Sequence, residues 1–393
     1  VNLKHNLKEG YSPLYFLASL GAGGLSVSFF MYLMFMIKHP KTPMSTYSDI
    51  FPILSEVTVV SFLVLVALLG ILFFAFVHFK LLIWNIKEYS LFKNTSSYTD
   101  LKNSNNEVQL MAMPLTMAMS INVCFILGAV FVPGLWSIVE YLFPFATIAF
   151  LLVGLYALKL YGSYVSRVLI GGTFDFEKNS NFSQMLAVFA FSMISVGLAA
   201  PGAMSHYVGV SAFALFFSIL FMMISIILLV ITLVIGFKSM LRYGVSGESA
   251  GTLWMLIPIL TLLGIALVRI SFGLIHNFQQ EASPSYLFML TSAILSAQII
   301  VGFFGYMIMK KIGYFSKFVK SNVKSVGALG LICPGVAFFV FGMFFIFFGL
   351  LKNNVVEIFS LGYFIVLAPL VLIQLKTIQV FFNLSKKLLI SKS

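Results

Sequence analysis

Charge is what this sequence has least of. Only 9% of its 393 residues are Asp, Glu, Lys or Arg, against about 25% in an ordinary soluble domain. With 60% hydrophobic residues and a mean hydropathy of +1.04, there is not enough polar surface to cover a globule, so lipid must be the solvent. Acidic residues are scarcer still, 12 against 24 basic ones, and all of them fall in loops or near the ends of apolar runs. A buried carboxylate cluster of the kind used by cation- or proton-coupled carriers is therefore missing. Cysteine is almost absent: Cys124 and Cys333 lie in separate apolar segments, which excludes a disulfide framework and a CxxC metal site. No HExxH, GxSxG or P-loop pattern occurs, so an enzyme is not expected, nor is a bound metal or cofactor. The five histidines do not pair at one depth as a membrane haem would require.

Long hydrophobic runs are what the sequence does have. A helix needs about 20 apolar residues to cross the hydrocarbon core, and ten segments qualify. They group into hairpins at approximately 13–86, 114–158, 185–237, 252–309 and 326–384. The apolar residues run all round each helix without period-two alternation, which argues against a β-barrel. The expectation is an all-α membrane protein, one transmembrane domain over residues 1–393. The first run is about as long as a full span and reads as a retained helix, not a signal peptide.

The basic residues divide by side. Twenty of the 24 fall in one set of loops, including Lys4, Lys80, Lys159, Lys238, Lys310 and Lys386; the opposite loops hold Lys38, Lys41 and Lys352, and Arg269 lies inside the seventh span. Cytoplasmic loops concentrate Lys and Arg, which places both termini in the cytoplasm and the chain in a bacterial inner membrane. The net charge of +12 thus reports topology, and nucleic acid is not an expected partner.

Four of the five odd-numbered spans carry a proline near their lysine-rich start: Pro13, Pro114, Pro258 and Pro334. Their spacing and common sidedness predict five parallel-repeat helical hairpins around a central pore, with odd helices kinked at these prolines on the inside. Inverted repeats would place half of the units upside down. Polar groups in a bilayer need a reason to be there. Asn122, Ser192, Ser195 and Thr261 are candidate pore donors that could solvate an anion; each could equally bond to a neighbouring helix. Arg269 could attract anions into an outer vestibule, or pair with Glu140 or Glu56. His78 and Lys376, near helix ends, are expected to snorkel. The ninth span is dense in phenylalanine, and Phe338 or Phe339 is the candidate constriction, with Cys333 as a small pore-facing residue.

With Tyr15-Phe16, Leu20-Gly21 and Gly24-Leu25-Ser26 in the first span, and prolines at 258 and 334 in the seventh and ninth, the chain resembles the tellurite-resistance/dicarboxylate transporter family, which includes the plant slow anion channels. The resemblance covers nearly the whole chain as topology. It implies passage of small anions such as chloride, nitrate, sulfite or malate, often in a homotrimer. It also implies a gating phenylalanine just before the ninth-helix proline, where this sequence has Cys333. The functional expectation is a channel or uniporter for small anions. The alternatives are an ion-coupled carrier of organic anions and a quinone-contacting or anchoring subunit of a redox complex.

Overall fold

A computed structural model describes residues 3–56, 58–281 and 283–391. Among the described residues, ten helices are long and apolar enough to cross a membrane: α1 (Pro13–Met36), α2 (Val59–Phe92), α3 (Asn105–Phe131), α4 (Leu135–Gly171), α5 (Met185–Met204), α6 (Val208–Tyr243), α7 (Ser249–Asn277), α8 (Pro284–Lys311), α9 (Val326–Leu351) and α10 (Leu361–Leu388). This makes the chain a multi-pass membrane protein. No named strand is present among these residues, only the isolated bridge Leu3–Ile390 between the two terminal segments. That bridge, with the Lys4 N–H donating to the Leu389 carbonyl at 2.9 Å, holds both terminal segments at one end of the bundle, as an even number of spans requires.

The hydrophobic runs understate several helices. α4 continues beyond Leu158 to Gly171 and α6 beyond Phe237 to Tyr243. A helix rises about 1.5 Å per residue, so the 34 residues of α2 exceed the ~30 Å hydrocarbon core, and its end projects at the lysine-rich side. There Glu88 accepts from the backbone N–H groups of Asn6 and Leu7, while Arg167 donates to Glu107 at 2.9 Å. These charged contacts tie down the loops that the lysines decorate.

Odd and even helices differ in environment. In the odd helices 61–94% of the apolar core window is buried, in the even ones 17–39%. The odd helices touch in sequence, α1 to α3, α3 to α5, α5 to α7, α7 to α9 and α9 back to α1, and each also packs on the even helix that follows it. Exposed Phe73, Phe216, Phe303 and Ile365 on even helices face outward, where lipid is their natural partner.

The sequence-marked prolines lie near the lysine-rich ends of their spans, where 3-10 winding gives way to α-helix. Pro114, Pro258 and Pro334 are each the third residue of an α-helical stretch that follows a 3-10 segment, Asn105–Met111, Ser249–Trp254 and Val326–Leu331 respectively. Pro13 opens the 3-10 turn of α1, with the Ser12 hydroxyl accepting from the Leu14 N–H at 3.3 Å. The 3-10 segments supply carbonyls to the N–H groups at the junction, Ala112 donating to Gln109 and Ile332 to Leu329, and proline, which has no N–H to donate, sits just past each such junction. Irregularity deeper in the bundle comes from other residues: Pro201 inside α5 and a π-helical stretch, Phe345–Leu351, ending α9.

Close packing at the centre depends on small residues. Gly197 of α5 lies under the ring of Phe150, and a Cβ there would overlap it. Absence of a side chain lets α4 and α5 approach, which is the usual device for membrane helix pairs.

Candidate functional site

A cavity of about 470 Å³ lies between the five odd helices. Each contributes a stripe at helical three–four spacing: Gly21, Gly24 and Val27 from α1; Met119, Asn122 and Ile126 from α3; Phe189, Met193 and Gly197 from α5; Pro258, Thr261, Ile265 and Arg269 from α7; Cys333, Ala337, Val340 and Phe344 from α9. Residues so spaced share one helix face. Of the even helices only α4 reaches it, through Ala146 and Phe150. The rim includes the exposed Pro43 and Lys352, at the end away from most lysines. At the other end the lining stops at Leu20, Met119, Phe189, Pro258 and Cys333. Nearer the lysine-rich surface, Phe16, Leu115, Leu186 and Leu329 are buried and outside the lining, so the cavity is blind.

Arg269 supplies the cavity's one internal guanidinium. Its Nη1 donates to the Val196 carbonyl of α5 at 2.8 Å, and its other N–H donors have no protein acceptor among the described residues. Neither carboxylate suggested by depth pairs with it. Glu140 accepts from the Ser205 hydroxyl at 2.9 Å and from the His206 backbone N–H at 2.9 Å, and its Oε1 lies 2.6 Å from His206 Nδ1; Glu56 forms no salt bridge among the described residues. A cation on an apolar wall without a counter-ion is costly, and an anion in the cavity would relieve that cost. A second cation, Lys352, stands at the rim with its Nζ 5.4 Å from the Phe347 ring centroid, where it adds to the positive potential met by an entering anion.

Asn122 reaches the same stretch of wall. Its Nδ2 donates to the Ala118 carbonyl at 3.2 Å and to the Met193 sulfur at 3.6 Å. Met193 and Val196 are three residues apart on α5, so the amide and the guanidinium meet that helix within about 4.5 Å of each other along its axis. Thr261 also lines the cavity, but its hydroxyl is committed: it donates to the Ala337 carbonyl at 3.0 Å and accepts from Gln298 Nε2 at 2.6 Å. Cys333 lies on the wall at the inner end.

Four sequence candidates lie elsewhere. The Ser192 hydroxyl donates to the Val188 carbonyl at 2.8 Å and lies 2.6 Å from the Ser225 hydroxyl; that of Ser195 donates to the Ser218 carbonyl at 2.8 Å. Both serines therefore join α5 to α6 and are not pore donors in this structure. Phe338 and Phe339 fall off the α9 stripe. Phe339 is fully buried with its ring centroid 5.5 Å from that of Tyr32, so neither forms the cavity's constriction. Phe344, Phe347 and Phe348, in and beside the π-helical stretch, line it instead. His78 does not snorkel either: it is fully buried, with Nδ1 2.8 Å from the Ser19 carbonyl and Nε2 2.9 Å from the Ser120 hydroxyl. Lys376 does reach the exposed surface, donating to Gln379.

Reasoning from sequence missed Val196, whose backbone carbonyl holds the arginine, and the methionine and phenylalanine walls. A backbone acceptor leaves no mark on composition, and helices apolar on every side do not reveal which face is turned inward. No protein-family model matches the chain, and no curated protein matches its sequence.

Proposed function

We propose that this protein moves anions across the bacterial inner membrane as a channel or uniporter, through a path between the odd helices of five parallel-repeat hairpins. The observation that carries the reading is Arg269, a guanidinium without a carboxylate partner on the wall of the central cavity. Such a group favours an anion over a cation and is itself made less costly by one. The position of Lys352 at the rim of the cavity supports entry of an anion from that side. Its architecture fits the resemblance to the tellurite-resistance/dicarboxylate transporter family. The blind inner end calls for a gate at the packed first turns of the odd helices.

The test is flux into proteoliposomes under an imposed potential, comparing chloride, nitrate, sulfite and malate with potassium. Voltage-driven anion flux without a proton or sodium gradient supports the proposal. Flux only with such a gradient moves the protein to the coupled carriers, and potassium selectivity contradicts the anion reading outright.

A further inference from the structure

The dimensions and lining of the cavity go further than its charge. At about 470 Å³ it falls within the roughly 300–1,000 Å³ typical of sites for organic ligands, whereas one water needs only about 10–15 Å³ of such space. An inorganic ion stripped of water requires a close shell of donors. This cavity offers one guanidinium at depth; the Asn122 amide donors are directed to Ala118 and Met193, and the Thr261 hydroxyl is already bonded on both sides. The remaining wall is apolar and rich in aromatic rings, among them Phe125, Phe150, Phe189, Phe272 and Phe344. Methionines 31, 119 and 193 supply flexible, polarisable surface that adapts to a varied apolar shape.

We infer that the cavity binds an aromatic monocarboxylate, its carboxylate on the Arg269 guanidinium and its ring against the phenylalanine and methionine wall. This rests on the anion-transport reading and specifies its substrate class. One deep cation selects a single carboxylate, for which the planar guanidinium has matching geometry. The apolar body displaces water from a surface that an inorganic anion would leave wetted.

The experiment is a binding titration of the full chain in lipid nanodiscs with acetate, benzoate, 3-phenylpropionate, uncharged benzamide and chloride. Burying a phenyl body should tighten binding by roughly 10- to 100-fold over acetate, and benzamide should bind far more weakly than benzoate. In Arg269→Gln the preference for benzoate over benzamide should disappear. A second readout on unmutated protein guards against misfolding of that variant: 3-phenylpropionate should slow modification of Cys333 by a water-soluble thiol reagent, followed by peptide mass spectrometry, and benzamide should not. Chloride or acetate binding as tightly as 3-phenylpropionate, and protecting Cys333 equally, overturns the substrate class while leaving the anion reading intact. Binding of no anion, with no protection of Cys333, overturns both.

Discussion

Arg269 of α7 crosses to α5 and donates to the Val196 carbonyl at 2.8 Å, making a backbone oxygen and not a carboxylate its protein partner. This keeps the positive charge uncompensated. A buried ion pair would have neutralised it and turned the arginine into a packing element. The carbonyl positions the guanidinium and leaves its charge available to the cavity, where the surrounding low-polarity wall strengthens any interaction with an anion.

The serines of α5 should matter for stability and not for transport. Ser192→Ala and Ser195→Ala remove hydroxyls that lie between α5 and α6, and interhelical hydrogen bonds in membranes are worth about 0.6 kcal/mol on average and up to about 1.7. Each variant should unfold at slightly lower denaturant and show unchanged flux per folded molecule. A change in anion selectivity would return these residues to the transport path.

Phe339→Ala should behave as a core truncation. The ring is fully buried beside Tyr32, and removing a buried phenylalanine costs about 3–5 kcal/mol. Thermal unfolding should shift down markedly, while flux normalised to folded protein stays level. Increased flux from this variant would identify the residue as a gate after all.

Gly197 cannot accept a large side chain without moving Phe150. Overpacking a close contact costs about 1–3 kcal/mol, and here the displaced ring belongs to the cavity wall. Gly197→Val should reduce both thermal stability and ligand affinity, whereas Gly209→Val, at a position with open space around it, should change neither. Equal tolerance at the two positions would show that α4 and α5 are not in this contact.

Sidedness can be read from Cys333. Because the cavity runs from the Lys352 rim towards this residue and stops there, a membrane-impermeant thiol reagent should modify it from the lysine-poor side only. Modification from the lysine-rich side would mean that the inner end is open.

How much was legible in the sequence depended on how one-sided each signal was. The ten spans and the division of loops were readable because hydrophobic length and lysine placement act directly on membrane insertion. The prolines were readable as features of the lysine-rich ends of the odd spans; the 3-10 segments ahead of them were not, because their winding depends on the packing of the whole bundle. The orientation of each span was hidden: Ser192, Phe338 and Phe339 lie on helices that are apolar all round, so nothing local distinguished an inward face from a packed one. Arg269 stood out as the one basic residue within an odd span's apolar core, but its acceptor is a main-chain carbonyl that no side-chain pattern encodes. The burial of His78 is hidden for a related reason, since its partners Ser19 and Ser120 come from two other helices.

The central claim rests on one charge, and its most direct test is anion flux through Arg269→Gln and Arg269→Lys in proteoliposomes, beside unmutated protein matched for folded amount. Hydrogen bonds to a charged group are worth about 1.5–3 kcal/mol, so the glutamine variant should lose roughly 10- to 100-fold in apparent affinity, with lysine recovering part of it. Both variants should remain folded, with helical content and elution as a single species unchanged. Undiminished anion flux in a folded Arg269→Gln protein would contradict the account.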